Sequence, residues 1–381
     1  MQFDLTFEEN EVAKTVSAFA RKEILPKARE IEAEGEMKGQ LLERFKALDI
    51  LALPFPREYG GVDATFSSLM LAIRELGYAC PIPPNVILEN YILAWPILHY
   101  GNEELKKKVL PGLLSLETIG GLAFTEPDTG SDPRQLVTVA KKTEGGWILN
   151  GTKRFITHSG TCHHMILFAK TEDEKVAAFY IETERPGYKI GGRETFVHMA
   201  IDNGDLFLEN YFAPDEHLLG TVDQGFEILL KAESLGKIGF CATFLGACFR
   251  GVDLAITYAN TRTHRGKPIG QKFAMIQDKL ARMASKLSAA NAYFLYICAR
   301  ADRGADIFTD AAALKLVIAE TIRCVADLSM EIHGAYSLSQ DYDIARIYAL
   351  AAAVPVVMGN LDLQKVIVAQ PLLYAGKMRS S

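Results

Sequence analysis

A change of periodicity near residue 119, reversed near residue 225, constrains this chain more than any single motif does. Before the first boundary, apolar residues recur at helical spacing. Val12, Val16, Phe19 and Ala20 share one face, behind Thr6 as an N-cap. Leu41 to Leu51, Phe66 to Gly77, Val86 to Gly101 and Glu103 to Leu114 read as further helices, with Gly77 and Gly101 suited to C-cap positions. Between the boundaries the runs are short and β-like: Val137 to Ala140, Gly146 to Gly151, Met165 to Ala169 and Ala177 to Ile181, punctuated by Gly and Asn turns. Strands with no helix between them predict an antiparallel β-domain, ending near Pro214 and Asp215. From Gly225 long helices return, over Phe226 to Asn260, Phe273 to Asp302, Thr309 to Ile332 and Ile344 to Ala353. Long helices with short links predict a bundle. The expected architecture is α+β: an N-terminal helical domain over 1–118, an antiparallel β-barrel domain over 119–224 and a four-helix-bundle domain over 225–381. At 381 residues the chain exceeds what one core supports, roughly 250–300 residues.

Charge removes some functions. The net charge is −6, and no basic stripe offers a nucleic-acid surface. The N-terminus lacks the basic and apolar regions of a signal peptide. No apolar run approaches the ~20 residues of a membrane span, and the longest, Ile347 to Met358, contains Pro355. A cytoplasmic protein without membrane insertion is expected. The six cysteines lack CxxC spacing and read as reduced, mostly buried thiols. Cys162, His163 and His164 are adjacent on a strand and point different ways, so no metal site is expected. There is no Walker A loop and no GxGxxG after a strand.

Two segments of the β region carry chemistry. Gly120 to Asp132 (GGLAFTEPDTGSD) is rich in small residues and hydroxyls and stiffened by Pro127. Such a loop brings backbone N–H groups close to a flat or anionic ligand, although composition alone equally fits an ordinary turn. In Asn150 to Thr157 (NGTKRFIT), strand alternation puts Phe155 and Thr157 on one face. An aromatic ring beside a hydroxyl suits stacking on a ring system while donating to a ring atom. An ordinary amphipathic strand has the same pattern.

Together these segments resemble the flavin-binding signatures of the acyl-CoA dehydrogenase family. The resemblance extends over Tyr59-Gly60-Gly61, Tyr100 to Glu104, Gly220 to Phe226, Arg262 with Gly266 to Ile269, and Glu331 to Tyr336. It implies FAD as cofactor and an acyl-CoA thioester as substrate, with oxidoreduction at its CH–CH group. It also implies electron-transfer flavoprotein or a similar acceptor as partner, and a tetramer. Leu122, Phe124, Thr125, Gly130 and Ser131 would line the FAD, with Ser131 also reaching the CoA. Phe155, Ile156 and Thr157 would lie along the isoalloxazine, with Thr157 donating toward N5. Arg262, Glu331 and Gly334 would meet the ADP half of FAD from a neighbouring subunit. Asn360 and Asp362 are further cofactor positions by the same resemblance, and Lys237 and Gly359 further substrate positions.

One departure bears on mechanism. Most members place the catalytic glutamate directly before a glycine near the C-terminus. The matching residue here is Met358, before Gly359, and a thioether accepts no proton. Some relatives carry the glutamate at the position of Gly236, with Glu233 one turn earlier. Three readings follow. The base has moved to Tyr91 or Glu89, giving an unusual regiochemistry on a cyclic or unsaturated acyl-CoA. Alternatively, the chain is the glutamate-lacking subunit of a heterotetramer with a paralogous partner. Or the fold serves a non-redox lyase or acyl-CoA-binding role.

Overall fold

The computed structural model describes residues 5–130, 132, 135–196 and 199–375. In chain order, helices α1 (Phe7–Phe19), α2 (Ala28–Glu34), α3 (Gly39–Lys46), α4 (Phe66–Ala79), α5 (Ile82–Tyr100) and α6 (Glu103–Leu114) come first. Strands β1 (Gly120–Ala123), β2 (Val139–Thr143), β3 (Gly146–Thr157), β4 (His164–Thr171), β5 (Val176–Glu182), β6 (Tyr188–Phe196), β7 (Met199–Pro214) and β8 (Leu218–Leu219) follow. Then come α7 (Gly225–Thr261), a two-strand ribbon of β9 (Thr263–His264) and β10 (Lys267–Pro268), α8 (Ile269–Lys272), α9 (Ala274–Asp302), α10 (Phe308–His333), α11 (Ile344–Ala353) and α12 (Leu361–Ala375).

Local chemistry accounts for several boundaries. Thr6 caps α1 in a reciprocal box with Glu9: the Glu9 amide donates to Thr6 Oγ1 at 3.2 Å, and the Thr6 amide donates to Glu9 Oε2 at 2.8 Å. Pro83 and Pro84 sit in the first turn of α5, where a missing N–H costs nothing. Gly101 follows α5 and donates to Ile97 O at 2.9 Å. Gly77 is not a C-cap but lies inside α4, where an added Cβ would stand 2.3 Å from the Thr243 carbonyl of α7. Its partner in this close approach is Gly246, whose Cβ would stand 2.1 Å from Arg74 O. The two glycines let α4 and α7 cross backbone to backbone.

The chain divides into two compact units, and the divisions fall inside α2, α5 and α7 and before α4. One unit takes residues through Arg29, then 66–84, then from Lys237 on; the other takes 30–65 and 85–236. In the first, α1 packs on α4, α4 on α9 and α9 on α10, while α11 and α12 also pack on α10. The second is built on an eight-stranded sheet, ordered β6-β7-β3-β2-β4-β5-β8 with β1 also on β4. The sheet is mixed rather than antiparallel, because β1 and β2 both run parallel to β4. β6 and the 16-residue β7 went unread in the sequence, since glycines and charges break their alternation. One 18-residue window of α7 is apolar enough by length and composition to cross a membrane, but 78% of it is buried inside the protein. α7 is a core helix.

Candidate active site

β1 and β2 lie end to end along one edge of β4. β1 pairs with residues 164–167 and β2 with residues 170–171. The described residues between them, 124–130, 132 and 135–138, belong to no strand of the sheet. Neither strand pairs with Phe168, and Lys153 fills that gap from β3. Its ammonium donates to Phe168 O at 2.6 Å, Phe124 O at 3.2 Å and Glu126 Oε1 at 2.8 Å. Glu126 also accepts the amides of Val137 at 2.6 Å and Thr138 at 3.0 Å. Neither side chain has any exposure. Burial alone would raise the Glu126 carboxyl, but the Lys153 charge and these donors hold it below its ordinary range. Burial pulls the Lys153 ammonium down, against the opposing pull of Glu126.

Two residues beyond Lys153, β3 carries one extra residue against β7, between Lys153 and Ile156. The backbone is left-handed at Phe155 (φ 57°) and again at His158 (φ 60°). A bulky residue at positive φ is held there by its surroundings and is frequent at functional sites. The bulge leaves the Phe155 residue 47% exposed, buries Ile156 in the sheet core and leaves Thr157 half-buried. Asn203 Nδ2 donates to Phe155 O at 3.3 Å and to Thr157 Oγ1 at 3.5 Å. The Thr157 hydroxyl proton has no acceptor among the described residues. His158 Nε2, Ser159 Oγ and Asn203 Oδ1 are buried without partners among them.

The structure brings the two motif segments together. Arg154 N donates to Thr125 O at 2.8 Å, and a Cβ on Gly121 would stand 3.1 Å from Thr157 O. Leu122 and Thr125 are half-buried and Gly130 is exposed, while the Phe124 ring packs edge-on against Phe168 in the core. Ser131 lies outside the described residues. A flat heteroaromatic group with acceptor nitrogens fits this surface. It would find an exposed ring at Phe155, an unused donor at Thr157 and buried polar atoms lacking partners.

α5 is tied to β1 through Asn90, whose Oδ1 accepts the Gly120 amide at 2.6 Å. Next to it, Glu89 is half-buried and has no hydrogen-bond or ion-pair partner among the described residues. Burial pushes its carboxyl up to about 7. Burial also raises the Cys162 thiol, and the Glu89 charge adds to that effect, which places the two in electrostatic reach. Tyr91 is two positions along, about 200° around the helix. Its ring is buried edge-on against Phe55. The structure thus gives Glu89 and Tyr91 different surroundings.

The remaining candidates lie in the helical unit, apart from Gly236 and Glu233, which are in α7 within the sheet unit. Arg262 stands 5.9 Å from the Tyr336 ring at a cleft of about 330 Å³ lined by Tyr258, His333, Tyr336 and Tyr342. Gly334 begins the turn that carries Tyr336; its φ is 60° and nothing lies within 4 Å of where a Cβ would be. Glu331 is engaged by Lys279. Lys237 is buried. Met358 (φ 55°) and Gly359 (φ 77°) form a left-handed turn, and the buried Lys315 donates to the carbonyls of Val357, Met358 and Gly359. Asn360 Oδ1 accepts the Leu363 amide at 2.9 Å and caps α12, and Asp362 pairs with Lys365 at 2.8 Å.

Lys153, Glu126, Lys315 and Asn203 were missed in the sequence. A signal existed for two of them. Lys153 falls in the inward register of Trp147 and Leu149, and Lys315 falls in the apolar stripe of Ala311, Ile318 and Ile322. No group of three metal-binding side chains occurs among the described residues.

Known proteins match the whole chain. The models of the acyl-CoA dehydrogenase N-terminal, middle and C-terminal domains match residues 6–117, 121–211 and 223–373. An acyl-CoA dehydrogenase of Bacillus subtilis (strain 168) is 32% identical over 375 residues, covering 97% of this chain and 99% of its own. Among solved structures, the glutaryl-coenzyme A dehydrogenase glutaryl-CoA complex superposes with a TM-score of 0.92 at 31% identity, covering 99% of this chain and 98% of that one. The FAD complex of PigA also gives a TM-score of 0.92, at 26% identity, covering 99% of this chain and all, 100%, of that one. Order of domains and fold agree, and the chain belongs to the acyl-CoA dehydrogenase family.

Proposed function

We propose that this chain acts on an acyl-CoA whose acyl group is cyclic or unsaturated, with Glu89 as the proton acceptor in place of the family's usual glutamate. Its class follows from its family: an FAD-dependent oxidoreductase acting on acyl-CoA. When bound, FAD supplies the hydride acceptor. Phe155 would lie along its ring system, Thr157 would donate a hydrogen bond to it, and Leu122, Phe124, Thr125, Gly130 and Ser131 would line it. Arg262 and Gly334 would meet its ADP half from a neighbouring subunit of a homotetramer. Electron-transfer flavoprotein or a similar acceptor would reoxidise it, in the cytoplasm.

The observation that carries the reading is the state of Glu89. A carbon acid needs a positioned base whose pKa lies near the working pH. Glu89 is half-buried, has no partner among the described residues, and its carboxyl is pushed up to about 7 by burial. Met358 offers no such group. A base on α5 would take its proton from a carbon farther from the thioester than Cα, which suits 1,4-elimination from a ring or a conjugated chain. Tyr91 would shape the pocket.

Anaerobic mixing with cyclic and linear acyl-CoA thioesters tests this. The protein purified alone is expected to bleach its flavin with the cyclic or unsaturated substrate. Glu89→Gln should keep FAD and lose the bleaching. Unchanged bleaching in Glu89→Gln sinks the assignment of the base. Bleaching only after co-expression with a glutamate-bearing paralogue would establish the heterotetramer instead.

A further inference from the structure

We infer that the buried Lys153–Glu126 pair is a positioning device that fixes the two halves of the flavin site against each other. The inference rests on the reading that Thr125 to Gly130 and Phe155 to Thr157 hold the flavin. The strand path along β4 breaks between Ala123 and Val139, which leaves polar backbone groups to satisfy inside the protein. The pair satisfies four of them: Phe124 O, Phe168 O and the Val137 and Thr138 amides. The three ammonium protons of Lys153 go to Phe124 O, Phe168 O and Glu126. Glu126 belongs to the outgoing end of this break, yet its carboxylate accepts the Val137 and Thr138 amides of the returning end. One side chain therefore closes the mouth of the loop, and one cation ties that mouth to β3 and β4.

The consequence is geometric. Lys153 is two residues before Phe155, and the next amide, Arg154 N, donates to Thr125 O at 2.8 Å. Sliding β3 against the loop would break the Lys153 bonds to Phe124 O and Glu126 and the Arg154 bond to Thr125 O, so the pair, with that amide, sets the offset of Phe155 and Thr157 from Thr125. Neither side chain is exposed, so neither touches a ligand; they act through the backbone. A well-packed apolar pair would stabilise the fold at least as well as two buried charges, and the charges supply a register that an apolar pair lacks.

The test uses the holoenzyme and two readouts other than turnover: FAD release on dilution and the visible spectrum of the bound flavin. The double variant Glu126→Gln/Lys153→Met leaves no lone buried charge. It is expected to release FAD at least about 10-fold faster with a shifted spectrum, since small misplacements in a preorganised site are costly. Lys189→Met, which breaks an exposed pair, should change neither. Wild-type release and spectrum in the double variant overturn the inference. Phe155→Ala and Thr157→Ala are measured alongside: if they too leave both readouts unchanged, the flavin-site reading fails first. Should the double variant not fold, amide exchange in the wild-type holoenzyme decides. The Val137 and Thr138 amides are expected to exchange as slowly as that of Leu149 in β3, and loop-like exchange overturns the inference.

Discussion

The ring of Tyr91 stands edge-on to that of Phe55, with centroids 5.9 Å apart and planes at 72°, and only 3% of Tyr91 is exposed. That packing separates its role from that of Glu89. Tyr91→Phe preserves the ring contact, and the rate of flavin reduction by acyl-CoA is expected to stay within about 3-fold of wild type. Glu89→Gln removes the proposed acceptor and should slow the same step by about 10²–10⁴-fold, the usual contribution of a positioned base. Rapid-mixing absorbance under anaerobic conditions measures both. Equal losses in the two variants would move the base to Tyr91.

The pH profile follows from the same group. Burial pushes the Glu89 carboxyl up to about 7, and only the ionised form accepts a proton. Thus kcat/KM should rise with pH through about 7 and level off above it, and a profile already flat near pH 5 would contradict the assignment. Stability runs the opposite way. The folded pKa lies above the unfolded one, so the folded state binds more protons between the two, and stability falls as pH rises through 7. Above that pH, Glu89→Gln should therefore stabilise the protein relative to wild type, by on the order of 1–3 kcal/mol, read as a gain in urea-unfolding midpoint over wild type that is larger at pH 8 than at pH 5.

The sequence conveyed the helices well because their apolar faces repeat without interruption: α6 and α11 begin and end where the periodicity does. It pointed to the segment of Phe155 and Thr157 but not to the bulge between Lys153 and Ile156, which breaks the strand alternation there. What it concealed depends on contacts distant in the chain. β1 and β2 share one edge of β4 across the break between Ala123 and Val139, and no local pattern announces a parallel pairing. Glu126 reads as a loop carboxylate until Lys153 is placed 2.8 Å away. Asn360 is a cofactor position by resemblance, and its capping of α12 through Oδ1 shows only once Leu363 is placed beside it.

Met358 permits a gain-of-function experiment. It sits in a left-handed turn (φ 55°) whose carbonyls are already held by Lys315. Met358→Glu/Glu89→Gln places a carboxylate at the position that the resemblance assigns to the base. Flavin bleaching by a short linear acyl-CoA is then expected to exceed that of Glu89→Gln by at least about 10-fold. No gain, with FAD retained and the fold intact by circular dichroism, would mean that Met358 is not at the base position.

The same turn predicts a stability effect that is independent of catalysis. Lys315 is fully buried, and its ammonium serves Val357 O, Met358 O and Gly359 O together. Helix α11 ends just before these residues and α12 begins just after them, so the three carbonyls belong to no ladder. Lys315→Met would keep the volume, leave Val357 O and Met358 O without their donor and leave Gly359 O only the Gln364 amide at 3.3 Å, in a turn where Met358 and Gly359 already hold positive φ. Each buried acceptor left unmade costs about 1–3 kcal/mol, partly relieved if the turn opens to water. The expected loss in urea unfolding is therefore about 2–4 kcal/mol. Lys315→Arg should recover only part of it, because a planar fork does not match three carbonyls converging on one ammonium. A loss below about 1 kcal/mol in Lys315→Met would show that the turn finds its donors elsewhere.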